Sequence, residues 1–79
     1  MEFTYNLKGD IAAKLRQVQI AAARRGVNFQ GDSKKGTFSG LISGSYRIEG
    51  HKINVIIVSK PFFLSWPQVD SQLRSFLEN

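Results

Sequence analysis

Gly36-Thr37-Phe38-Ser39-Gly40-Leu41-Ile42-Ser43-Gly44-Ser45-Tyr46-Arg47-Ile48-Glu49-Gly50 is the stretch on which the fold turns. Every even position is apolar or glycine, and every odd one is polar or charged except Leu41. Successive strand side chains point to opposite faces, so a period of two over this length predicts a half-buried antiparallel ribbon. Directly opposed residues of an antiparallel pair share a face, which limits how the ribbon divides into strands. A loop at Ser43-Gly44-Ser45 keeps the phase and sets Ile42 against Tyr46, Gly40 against Ile48 and Phe38 against Gly50. One long strand bent at Gly44 satisfies the same pattern.

Downstream, Gly50-His51 reads as a two-residue hairpin loop. It opposes Glu49 to Lys52, Ile48 to Ile53 and Tyr46 to Val55, with an opposite-charge pair on one face and apolar pairs on the other. Gly50 in the first loop position suits a type II′ turn. Val55-Ile56-Ile57-Val58 is continuously apolar, the pattern of a strand buried on both sides. Pro61 ends that strand.

Upstream, Phe3, Tyr5 and Leu7 alternate with polar neighbours as a first short strand. Asp10 is placed to cap a helix carrying Ile11, Leu15, Val18 and Ala22 on one side, running to about Arg25 and stopping at Gly26. Ile20 falls on the opposite side. Val27 to Gln30 is a candidate strand with Val27 and Phe29 inward, and Gly31 to Gly36 a polar turn. At the other end Ser65 and Gln68 form a capping-box pattern with Pro67 in the first turn. Trp66, Val69, Leu73, Phe76 and Leu77 supply that helix's apolar face. The expected fold is therefore one α+β domain over residues 1–79, a curved antiparallel sheet with both helices on one face, in the order β-α-β-β-β-β-α.

Composition bounds the chemistry. The 79 residues suit a single small core, with six Phe, two Tyr and one Trp to fill it. There is no cysteine, which excludes disulfides and thiolate sites and fits a reducing compartment; a cytoplasmic location is the expectation. Met1 to Asn6 shows no basic segment followed by an apolar run, so no secretory signal is expected. Val55 to Val58 is too short to span a bilayer.

No catalytic grouping emerges. His51, the one histidine, lies in a tight turn with Glu49 as its nearest carboxylate, and a general base needs a positioned partner in a sheltered site. The serines show no spacing to a histidine or lysine that marks a nucleophile. Six scattered carboxylates do not form a metal-ligand cluster. The glycines at 36, 40, 44 and 50 read as strand packing and turns, since no Gly-Lys-Ser/Thr follows them. The chain is thus expected to be neither enzyme nor cofactor or metal carrier.

Eleven Lys and Arg against six Asp and Glu give a net charge of +5, with Arg24-Arg25 and Lys34-Lys35 as the two clusters. That balance favours acidic partners, and a nucleic-acid-binding module is the alternative functional reading. Against it, Phe38 and Tyr46 share the presumed core face, whereas single-strand binders stack bases on solvent-facing rings. The supposed outer face is polar at Thr37, Ser39, Arg47, Glu49, Lys52 and Asn54 but apolar at Leu41, Ile56 and Val58. Three occupants fit that corner: a second copy of the chain, an apolar ligand, or the Phe62-Phe63-Leu64 segment folding back.

From Phe38 to Leu77 the chain resembles the small bacterial polyhydroxyalkanoic acid system proteins. The likeness rests on Phe38-x-Gly40, Gly44-x-Tyr46-x-Ile48, Ile53-x-Val55-x-Ile57, and a proline-and-aromatic link into a helix like Trp66 to Leu77. Phe3 to Arg25 fits the order of elements without a motif, and Gly31 to Gly36 departs from the pattern. The resemblance implies a non-enzymatic accessory protein associated with a storage-granule surface. The leading expectation is accordingly a small binding protein acting through Leu41, Ile56, Val58, Phe62 and Phe63, on itself as a homodimer or on a protein or granule surface.

Overall fold

Four strands in succession form a meander because each link between them is only two or three residues long. In the computed structural model, which describes residues 1–78, these are β2 (Val27–Gly31), β3 (Lys35–Gly40), β4 (Ser43–Glu49) and β5 (Lys52–Ser59). A first strand, β1 (Glu2–Asn6), docks antiparallel on the far side of β5, giving one open, curved sheet in the order β1-β5-β4-β3-β2. Every neighbouring pair is antiparallel, so β1 and β2 run the same way at opposite edges. Helix α1 (Ile11–Ala23) crosses between those edges, and α2 (Trp66–Leu77) returns from β5.

Both helices lie on the sheet face that carries Tyr5, Phe38, Tyr46, Ile48, Ile53, Val55 and Ile57. With Leu15 and Val18 of α1 and Val69 and Leu77 of α2, these make one core cluster. Burying each such side chain contributes about 1.5–3 kcal/mol. Local chemistry then fixes the helix ends. Asp10 Oδ1 accepts from the Ala12 and Ala13 N–H groups, satisfying donors that the first turn leaves open. Gly26, at φ +83°, closes the other end of α1 in the left-handed region. The helix stops at Ala23, so Arg24 is its cap residue and not part of its last turn. At α2 the Gln68 N–H donates to Ser65 Oγ at 3.3 Å and the Ser65 N–H to Gln68 Oε1 at 2.9 Å, a complete capping box.

The β4–β5 hairpin has the expected register: Glu49 opposes Lys52, Ile48 opposes Ile53 and Tyr46 opposes Val55. Gly50 takes φ +62° while, among the described residues, no non-glycine residue has positive φ, as a type II′ turn requires.

The β3–β4 register differs from the expected one. Phe38 opposes Gly44 and Gly36 opposes Tyr46, so the chain reverses at Leu41-Ile42 and Ser43-Gly44-Ser45 is strand. Both registers keep the same faces and both pair rings with glycines. The observed one wins because it seats the larger ring. Tyr46 lies so close over Gly36 that a Cβ there would be 2.6 Å from Tyr46 Cε1, and its hydroxyl donates to the Asp32 carbonyl at 2.9 Å. Gly44 likewise leaves room for the Phe38 ring.

The continuous apolar run of β5 is not buried on both sides either. Ile57 and Val55 enter the core, whereas Ile56 is 41% and Val58 76% exposed. The Phe62-Phe63 pair does not fold back over them. Phe62 is 95% and Phe63 66% exposed, and of that segment Leu64 packs against the core. Leu41 leaves the outer face altogether: it sits in the β3–β4 turn, at the mouth of the apolar slot between the helices and the sheet.

Candidate functional site

The outer face of the sheet is an open trough of about 1050 Å³. Alternation puts Thr4, Thr37, Ser45 and Asn54 along it, with Lys35, Arg47 and Lys52 among the carboxylates of Glu2 and Glu49. The registers pair the charges unequally: Lys52 faces Glu49, an opposite-charge pair, while Lys35 faces Arg47, two like charges. Asn54 Nδ2 donates to Thr4 Oγ1 at 3.2 Å, so part of the polar surface satisfies itself. Among the described residues no three His, Asp or Glu side chains gather where they could hold a metal ion. His51 lies in the exposed hairpin turn, and its carbonyl accepts from the Leu7 N–H at 2.6 Å.

Two phenols and one carboxylate have shifted proton affinities, each for a structural reason. Tyr46 is pushed up from the usual phenol range by burial and then by the nearby charge of Asp32. Tyr5 is pushed up further, first by burial and then by donating to Asp70 Oδ1 at 2.6 Å, a bond that ties β1 to α2. Asp32 is held below the usual carboxylate range because its Oδ1 accepts from the Lys35 and Lys34 N–H groups, closing the β2–β3 turn. All three are spent on holding elements together.

The basic clusters do not converge. Arg24 and Arg25 precede one end of β2 and Lys34 and Lys35 follow the other, separated by about 17 Å at roughly 3.4 Å per strand residue. Arg25 is engaged on the α2 side, its guanidinium 5.0 Å from the centre of the Phe76 ring. The four residues form two local charges and no continuous stripe.

The apolar candidates separate in the same way. The β3–β4 turn lies at the same end of the sheet as Val58, since Ser43 opposes Ser59, but Leu41 turns to the helix-side slot while Ile56 lies on the outer face. What the fold does build, directly after β5, is a tight turn from Pro61 to Leu64, closed by the Leu64 N–H donating to the Pro61 carbonyl at 3.1 Å. Phe62 and Phe63 are its two central residues, their rings edge to face at 5.9 Å between centroids. Lys60 reaches beneath the turn: its ammonium donates to the Leu64 and Pro61 carbonyls and lies 5.1 Å from the centre of the Trp66 ring. Trp66 begins the capped α2, so the turn stands on an ordered base. Sequence reading named Phe62 and Phe63 but missed the turn. The usual signal was lacking: proline presets φ at the second position of a tight turn, whereas Pro61 holds the first and Phe62 the second.

Neither the family models, nor the curated proteins, nor the solved structures compared with this chain gave a match.

Proposed function

We propose that this chain is a small binding protein that docks through the Phe62–Phe63 turn onto an apolar surface of its partner. One observation carries the reading: two adjacent phenylalanines occupy the tip of a hydrogen-bonded turn, with Phe62 95% exposed. Tight turns favour Gly, Asn, Asp, Pro and Ser at such positions, each for a backbone reason, and two phenyl rings serve none of those reasons. A single exposed apolar residue is ordinary. Here the two rings follow Val58, itself exposed at the end of β5. Burying both phenyls on a partner is worth about 3–6 kcal/mol before association costs, enough to anchor a weak contact but not to hold it alone.

The resemblance to polyhydroxyalkanoic acid system proteins suggests which surface to try first, the amphiphilic boundary of a storage granule. Polyhydroxybutyrate particles incubated with wild type and with Phe62→Ser/Phe63→Ser give the test. Co-sedimentation of the wild type and its loss in the double variant, at unchanged circular dichroism, support the reading. Equal binding by the two proteins, or none by either, removes it.

A further inference from the structure

The sheet has two open edges, and they are not equivalent. In an antiparallel ladder, residues that exchange hydrogen bonds with the neighbour alternate with residues whose N–H and C=O point away. On β1 the Leu7 N–H donates to the His51 carbonyl and the Ile57 N–H to the Met1 carbonyl. The alternation therefore turns the backbone groups of Glu2, Thr4 and Asn6 outward. That edge is partly closed, because the Asn6 N–H donates to Glu78 Oε2 at 3.0 Å, and it carries the charge of Glu2.

On β2 the Asp32 N–H donates to the Lys35 carbonyl and the Leu41 N–H to the Gly26 carbonyl. The outward groups are then those of Val27, Phe29 and Gly31. From Val27 to Gly31 the strand holds no charge and no proline, the devices that usually blunt an open edge. The geometry points to a second copy of this chain as the occupant: two copies pair antiparallel through β2 about a two-fold axis at Phe29, joining their sheets into one.

From Val27 to Gly31 this register is self-complementary. Phe29 meets Phe29 of the second copy, extending an aromatic stack in which Phe29 already lies 5.2 Å from Phe38 and 5.9 Å from Tyr46 between centroids. Val27 meets Gly31 of the second copy, large against small. On the outer face Asn28 meets Gln30, so the exposed amides pair with amides. Immediately beyond the strand, Asp32 opposes Gly26 beside Arg25 of the second copy, while Arg24 falls opposite Lys34, a like-charge pair at the solvent-exposed margin. Three outward residues per copy supply about six ladder hydrogen bonds. The pairing is isologous, so it closes at a dimer and does not propagate. It uses a surface separate from the Phe62–Phe63 turn and stands independently of that function.

A five-residue edge makes a small interface, so sedimentation equilibrium should extend to about 1 mM protein. The wild type is expected to approach twice the 8.9 kDa chain mass. Asn28→Lys/Gln30→Lys places lysine opposite lysine at two symmetric positions and should weaken the dimer about tenfold or more. Asn28→Lys/Gln30→Glu places opposite charges there and should restore it. Both residues are exposed, so each variant keeps the monomer fold, as circular dichroism would confirm. Phe62→Ser/Phe63→Ser should dimerise like wild type. The inference is overturned by a wild type that stays at the mass of one chain, by equal dimerisation of the Lys/Lys variant, by equal weakening of the Lys/Lys and Lys/Glu variants, or by loss of the dimer in the phenylalanine variant.

Discussion

Two groups of aromatic side chains, alike in composition, do opposite things in this molecule. Phe29, Phe38 and Tyr46 stack on one another along β2, β3 and β4 beneath the helices, while Phe62 and Phe63 stand edge to face in solvent beyond β5. What separates them is backbone phase. The first group occupies strand positions that all face one way, and Gly44 and Gly36, opposite Phe38 and Tyr46, supply the room. The second occupies consecutive positions of a turn, where no single face can take both rings. Aromatic content by itself therefore says little about burial; the period of the surrounding chain decides it.

The contrast can be broken most forcefully from the inside. Tyr46→Ala removes a side chain only 3% exposed and empties the space over Gly36 and Gly31, so it should cost about 3–5 kcal/mol, as large-to-small aromatic core changes do. Urea denaturation would read this as a large drop in midpoint or as failure to fold. Filling the glycine seat should act through the same ring. Gly36→Val brings a Cβ within 2.3 Å of the Gln30 carbonyl and 2.6 Å of Tyr46, and overpacking of this kind costs about 1–3 kcal/mol. A midpoint unchanged by Gly36→Val would contradict the β3–β4 register described above.

These same residues show how far the sequence could be read. The sides of the sheet, the Gly50-His51 hairpin, both helix caps and the order of elements all follow from strict period-two alternation, a helical stripe or a capping pattern, each local in sequence. The β3–β4 register was not legible, because glycines at 36, 40, 44 and 50 permit ring-over-glycine pairing in two registers of the same parity. The choice was made by a long-range detail, the Tyr46 hydroxyl reaching the Asp32 carbonyl. At the candidate site, the apolar residues were legible but their grouping was not. Leu41 belongs with Ile56 and Val58 by strand phase, and it lost that phase when the turn moved onto it. Arg24-Arg25 and Lys34-Lys35 were legible as two clusters, and β2 between them keeps them apart in space.

Smaller effects sharpen the comparison. Ser65→Ala leaves the aromatic turn's sequence intact but removes the cap of the helix on which it stands, and should cost about 1 kcal/mol in denaturation midpoint. Alkaline pH tests the buried phenols. Tyr46 and Tyr5 keep their protons in the folded chain above the ordinary value near 10, whereas the unfolded chain releases its own there. Their contribution is therefore complete below about pH 10 and is lost as pH rises past it. A denaturant midpoint that falls between about pH 10 and 11, and falls less in Tyr46→Phe, is the expected result; an equal fall in both proteins would assign the alkaline loss elsewhere.

The smallest effect on stability is expected at the outer pair. Phe62→Ser/Phe63→Ser replaces side chains that are 95% and 66% exposed, and substitutions at such surface positions usually stay within about 0.5 kcal/mol. Binding to a hydrophobic particle, measured beside the thermal midpoint of the same preparation, tests the central claim most directly. The account predicts an unchanged midpoint with binding lost in the double variant. A variant that binds as well as the parent, or that unfolds well below it, would contradict the division of labour between the two aromatic groups.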